Sequence, residues 1–314
     1  MSAQEFDNRI AFAETLIALA KIDPKIIVVC NDSVGSSNLT EFRDIYPERL
    51  IDVGIAEQNM VGVAAGLANS GFTPFVCAAS PFLTGRALEQ IKADIVYTNT
   101  NVKLCGMSPG ISYGELGPTH HSIEDIAWMR ALDSLPIVLP ADDAQTREVI
   151  TWAAQTNGPV FMRIGRFKVP SVSQNQNPAF IPNKAMRIID GDDLTIIATG
   201  TLVSRAVAAA LELKKAGISV RVINMTTVAP LDTVEVLAAA KETKLIITAE
   251  EAVTRGGMGG AVAEYLVQNH PVPMKLMGID TFAPTGSPTY LLEHFGLTAE
   301  SLVFAARELM KNGK

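Results

Sequence analysis

The feature that most constrains this chain is an alternation that runs along its whole length. Short runs rich in β-branched residues are separated by stretches whose apolar residues recur at helical spacing. Residues 25–30 (KIIVVC) read as a buried strand after a helical stretch over residues 9–20. Further strands are expected at 49–53, 73–78, 102–105, 136–139 and 160–164, with helices at 55–69, 83–93, 123–131 and 144–155. Apolar strands that alternate with helices imply a parallel sheet covered on both faces.

The pattern is interrupted once. Residues 170–183 (PSVSQNQNPAFIPN) are polar and contain three prolines, the composition of a linker or of a crossover along an edge. Beyond it strands are expected at 194–198, 220–224, 244–249 and 274–278, and helices at 204–216, 233–240, 260–269 and 299–310. The expected fold class is therefore α/β, as two α/β domains with mainly parallel sheets flanked by helices. The first covers residues 1–172, a linker 173–187, and a smaller second domain 188–314. A chain of 314 residues is long enough to bury two cores.

Composition narrows the function. A net charge of -7 disfavours a nucleic-acid binder or a ligand of acidic membranes, which would need a positive surface. No apolar run is long enough to span a membrane, and the first residues show no basic-then-apolar leader, so a cytoplasmic protein is expected. Cys30, Cys77 and Cys105 sit in apolar runs without metal-ligand spacing and read as small buried residues.

The sharpest local feature is DVGIAEQNMVGVAAG at residues 52–66. A strand ends near Gly54 and feeds a helix with Glu57 in its first turn. A carboxylate there ordinarily compensates the helix dipole. The turns that follow are almost all Ala, Gly, Val and Met, so this helix packs closely and Glu57 is expected to be partly desolvated, a condition that favours the protonated form.

GIAEQNM followed by AAGLANSGFTPF resembles the pyrimidine-binding domain of the transketolase family, which includes transketolases, deoxyxylulose-phosphate synthase and the beta subunits of pyruvate dehydrogenase. The resemblance extends over essentially the whole chain and corresponds to the C-terminal two domains of a full transketolase. It implies that Glu57 hydrogen-bonds a ring nitrogen of the thiamine aminopyrimidine, sharing the proton that lets the cofactor act as an electron sink. In SPFLTGRALEQIK it implies that Phe82 stacks on the aminopyrimidine, whereas Arg86 and Gln90 are expected to serve helix packing and the subunit interface. A core phenylalanine is the alternative for Phe82. Asp32, in the loop after the first strand, is placed with Glu57 and Phe82 on the cofactor's side.

The segment GELGPTHHSIED at residues 114–125 puts two histidines in a Gly/Pro loop, where a neutral imidazole can both donate to and accept from sugar hydroxyls. The family pattern is Gly-Glu-Asp-Gly-x-Thr-His. His120 thus matches a histidine on the side of both substrate and cofactor. Leu116 replaces an Asp that contacts a sugar hydroxyl, and Ser108 falls where transketolases commonly carry a phosphate-contacting histidine. SSNLT implies a phosphate contact from Ser37, and FMRIGRFKVP implies one from Arg166, with Arg163 as its neighbouring candidate. The glycines of GGMGGAVAEYL read as packing positions in an assembly domain, because the run lacks a P-loop ending.

The family's Mg²⁺ and diphosphate site, a Gly-Asp-Gly segment with a later Asn, is not matched by Gly191-Asp192-Asp193. The resemblance therefore implies thiamine diphosphate and Mg²⁺ as cofactors, with metal and diphosphate held by an N-terminal transketolase subunit, and a two-plus-two heterotetramer. No metal ligands are expected on this chain. The activity implied is transfer of a two-carbon glycolaldehyde unit from an anionic ketose to an aldose, with Leu116 pointing to a specialised branched or sulfonated sugar. The alternatives are a 2-oxoacid dehydrogenase beta subunit and a non-catalytic assembly subunit. SSNLT and the GELGPTHHSIED loop fit a transketolase better than the former, and the retained Glu57 and His120 speak against the latter.

Overall fold

A computed structural model describes residues 4–174 and 176–312. Its larger sheet has seven strands in the order Thr227–Ala229, Ile137–Val138, Val160–Ile164, Lys103–Met107, Thr73–Ala79, Ile26–Cys30 and Leu50–Asp52. All pairings are parallel except that of the first strand. Alternation across the sheet sorts the side chains of Ile26–Cys30 into two cores. Ile26 and Val28 pack with Phe12 and Leu16 of helix Asn8–Ile22. Ile27 and Val29 pack with Met60, Val61 and Ala64 of helix Glu57–Asn69. Burial on both faces is why these strands read as unbroken apolar runs.

The second sheet runs Met274–Met277, Ile246–Ala249, Leu194–Ala198, Val220–Asn224 and Met186–Ile189, parallel except for the last. A two-stranded antiparallel ladder joins Glu5–Asp7 to Lys168–Pro170. Among the described residues no helix is long and apolar enough to cross a membrane.

Of the departures from the expected elements, three bear on the arrangement of the two halves and the site. The strand Met186–Ile189 begins inside the stretch expected as a linker. The expected helix over 83–93 is instead a helix over Ser80–Arg86, started by a proline in its first turn, then a break and a wide π turn over Ile91–Val96. Most consequential is Thr227–Ala229, a strand from beyond the linker that closes the edge of the first sheet by pairing with Ile137–Val138. Ile223, Met225, Val228, Val262 and Leu266 enter the same apolar cluster as Met60 and Ile137, so this core is common to the two halves.

Candidate active site

The site is built at the carboxyl ends of neighbouring parallel strands, where open α/β sheets present their loops. The Asp52 carboxylate accepts the backbone N–H of Gly54 and of Asp32, each at 2.9 Å, and so ties two adjacent strand-end loops together. Gly54 has φ +70°, a conformation a side chain resists, and there the chain turns into helix Glu57–Asn69. Glu57 opens that helix yet is only 2% exposed. The Nδ2 of Asn31 donates to its Oε1 at 2.6 Å. The Nη1 of Arg86 bridges Oε1 and Oε2 at 3.2 and 3.1 Å. Asn31 is itself held by Ser33, whose Oγ donates to Asn31 Oδ1 at 2.7 Å.

Arg86, expected to serve packing and the interface, also holds the Glu57 carboxylate. Its guanidinium carbon lies 4.3 Å from the centre of the Phe82 ring, a cation–π contact, while its Nη1 holds Glu57. Phe82 is partly buried rather than a core residue, and its ring meets His120 edge-on at 5.1 Å. His120 in turn meets Tyr113 at 6.2 Å, and the Arg166 guanidinium carbon stands 5.1 Å from the Tyr113 ring. Glu57, Arg86, Phe82, His120, Tyr113 and Arg166 thus form one continuous line of contacts. A cleft of about 490 Å³ lies beside Glu57 and Arg86, walled by Ile55, Ala56, Gln58 and Asn59.

The loop that carries His120 is held from the second domain. Glu251 Oε1 accepts the N–H of Ile111 at 2.8 Å, Gly286 donates to Gly114 O at 3.1 Å, and Val253 donates to Ile123 O at 2.8 Å. The loop ends are closed on each other by paired hydrogen bonds between Gly110 and Ser122. Leu116 projects from it with 55% of its surface exposed. The two histidines have different surroundings. His120 is partly exposed with Nδ1 3.0 Å from Thr119 Oγ1. His121 is buried against Gly114 O, and burial lowers its pKa below the ordinary imidazole value, so it is a neutral loop anchor.

Two expected substrate contacts are corrected. Ser37 has no exposed surface: its N–H donates to Ser33 O at 2.9 Å, and its hydroxyl turns inward to within 3.4 Å of Ser33 Oγ. The turns that bury Leu39 draw it in and leave Ser36 outside. Ser108 is also wholly buried, with φ +51° at the end of Lys103–Met107, and it presents no surface to a ligand. Arg163 drops out as an anion contact, because it is buried against the Asp125 carboxylate and the carbonyls of Ser122 and Glu251. Asp32 is exposed at φ +62°, on the loop facing the site.

Nothing in the residue pattern singles out Asn31, Ser33 or Tyr113. Their one signal is adjacency to segments already marked. The cysteines are buried, and burial, aided by Asp52, pushes the Cys30 thiol up to about 12, which leaves it inert beside Asn31. Among the described residues no group of three or more His, Cys, Asp or Glu could hold a metal.

Comparison with known proteins shows the family. Residues 4–171 match the family described as "Transketolase, pyrimidine binding domain", and residues 183–302 match "Transketolase, C-terminal domain". The chain belongs to the transketolase family. It is 42% identical over 304 residues to an apulose-4-phosphate transketolase subunit of Phocaeicola vulgatus, covering 96% of this chain and 97% of that protein. It is 39% identical over 302 residues to the 6-deoxy-6-sulfo-D-fructose transketolase subunit SqwH of Clostridium sp. (strain MSTE9), covering 96% and 94%. A solved structure titled "Split gene transketolase, inactive beta4 tetramer" superposes with a TM-score of 0.90 at 37% identity, over 98% of this chain and 99% of that one.

Proposed function

We propose that this chain is the pyrimidine-binding subunit of a thiamine-diphosphate-dependent transketolase and that it works with a separate N-terminal subunit. The observation that carries the reading is the buried carboxylate of Glu57 at the wall of an open cleft, with Phe82 and His120 a side chain away. These residues fit one end of the cofactor: a carboxyl group to exchange a proton with a ring nitrogen, and an aromatic face to stack on. When bound, thiamine diphosphate supplies the electron sink for carbon–carbon cleavage. The diphosphate and Mg²⁺ are assigned to the partner, in a two-plus-two assembly. In support, several relatives are named as one subunit of a transketolase.

Glu57 holds and returns the proton, and the low exposure of its carboxyl keeps water from competing for it. His120, partly exposed beside Phe82, donates to or accepts from a substrate hydroxyl or carbonyl. Arg166, with its guanidinium against Tyr113, serves as the anion contact. Leu116, exposed on the loop that carries His120, offers an apolar side chain where the family pattern has a hydrogen-bonding Asp. The donor is accordingly an anionic ketose of branched or sulfonated kind, in keeping with the sugars that name the two relatives.

The test is reconstitution with an N-terminal subunit, Mg²⁺ and thiamine diphosphate against a panel of ketoses. Two-carbon transfer is expected only with both subunits present, and xylulose 5-phosphate is expected to be poorer than the best branched or sulfonated donor by about tenfold or more in kcat/KM. Turnover by this chain alone would remove the partner from the reading. Equal rates from xylulose 5-phosphate would remove the specialised sugar.

A further inference from the structure

Resting on that reading, we infer that the Glu57 carboxylate is divided between a permanent donor, Asn31, and a placeholder, Arg86, whose guanidinium fills the aminopyrimidine position until the cofactor displaces it. The two groups assigned to the aminopyrimidine are the Glu57 carboxyl and the Phe82 ring. One side chain already engages both: Arg86 reaches Glu57 Oε2 at 3.1 Å and lies 4.3 Å from the Phe82 centroid. A guanidinium suits this part because it is planar, stacks on aromatic faces and presents N–H donors at its edge. An aminopyrimidine offers the same combination of a flat face and a polar edge. Both cannot occupy the space between Glu57 and Phe82.

The two donors differ in how readily they can leave. Arg86 sits at the end of helix Ser80–Arg86 with 51% of its side chain exposed, and Glu57 is its one ion-pair partner among the described residues. Water can take over its donors once it swings out, and pairs this exposed contribute little. Asn31 is buried, 2.6 Å from Glu57 Oε1, with its own carbonyl accepting from Ser33. Its departure would break the hydrogen bond between two buried side chains, its own amide and the Glu57 carboxylate. Exchange of Arg86 for the cofactor therefore leaves Oε1 fixed on Asn31 as an acceptor and frees Oε2 to carry the proton toward the ring. Asn31 is a positioning residue in this arrangement.

A site that must first be vacated binds its ligand less tightly in proportion to the vacated fraction. For a half-exposed ion pair that factor is about three to five. Thiamine diphosphate binding to the complex reconstituted with the N-terminal subunit and Mg²⁺, measured by titration calorimetry, is thus expected to tighten about three- to fivefold in Arg86→Ala. In Asn31→Ala and the isosteric Asn31→Asp, kcat at saturating cofactor is expected to fall at least tenfold while the KM for the sugar stays within about twofold and the melting temperature of the complex stays at the wild-type value, which separates the effect from a loss of folded enzyme. Unchanged or weaker cofactor binding in Arg86→Ala overturns the placeholder. A normal kcat in both Asn31 variants overturns the permanent donor. If the wild-type complex binds no thiamine diphosphate at all, the functional reading itself fails, and this inference with it.

Discussion

A carboxylate in the first turn of a helix is usually left in water, where it answers the helix dipole at little expense. Glu57 is instead 2% exposed and held by two side chains from other elements. Such burial is sustained by a function more readily than by stability, because a neutral side chain of the same shape would avoid the desolvation. Glu57→Gln keeps the shape and one acceptor oxygen for Asn31, but it cannot exchange a proton. Turnover of the reconstituted complex is expected to drop by about 10²- to 10⁴-fold. Retention of near-wild-type turnover would show that Glu57 is not the proton partner. The residue itself is legible in the sequence, since its motif and its close-packed helix mark it. Its partners are not. Arg86 reaches across 29 positions and Asn31 across 26, and no local period encodes where a long arginine side chain will lie. For Ser37 and Ser108 the motif gives the position, but tight turns at φ values near them, not residue type, decide which way a serine faces.

At the level of elements, the strands read most reliably because each buried strand is an apolar run bounded by polar residues. What escapes are pieces too short to show a period: Thr227–Ala229 has three residues and Pro288–His294 seven. The glycine run ahead of helix Met258–Asn269 reads as packing rather than as a phosphate cradle, and the structure gives the physical reason. The N-terminus of that helix already has a carboxyl group. Glu250 is fully buried and accepts the N–H groups of Met258 and Gly259, each at 2.7 Å. A side chain at Gly257 would start 2.3 Å from its carboxyl. Burial pushes Glu250 from its ordinary 4.5 up to about 7, against the two amides, which pull it down. A carboxyl whose folded value is raised contributes stability that is complete below its unfolded value and is lost as pH rises through the folded one. Between about pH 5 and 8 the wild-type chain should lose up to about 3 kcal/mol that Glu250→Gln does not lose. Melting temperatures of both proteins across that range test this. Parallel curves would mean that Glu250 does not titrate there.

At the level of the whole molecule, two family domains in one chain suggest two folding units, but the contacts argue for one. The first sheet takes its edge strand from beyond the linker, and its apolar cluster continues into Met225, Val262 and Leu266. A buried polar knot crosses the same boundary. Arg163 binds the Asp125 carboxylate and donates to Ser122 O at 2.7 Å and to Glu251 O at 3.2 Å, while Glu251 Oε2 accepts from Thr201 at 3.0 Å and Oε1 anchors the loop of His120 through Ile111. Removal of the arginine alone would leave Asp125, which has no exposed surface, charged and unpaired, a loss of about 3–5 kcal/mol. Because the knot belongs to both halves, Arg163→Met should lower a single unfolding transition rather than split it. Denaturant unfolding followed by fluorescence and by far-ultraviolet circular dichroism checks this: the two probes should give one coincident midpoint in the wild type and one coincident, lower midpoint in the variant. If the second domain kept its wild-type midpoint while the first melted early, the domains would be energetically separate. The second domain could then not set the His120 loop through Glu251, and the loop would have to owe its position to the first sheet alone.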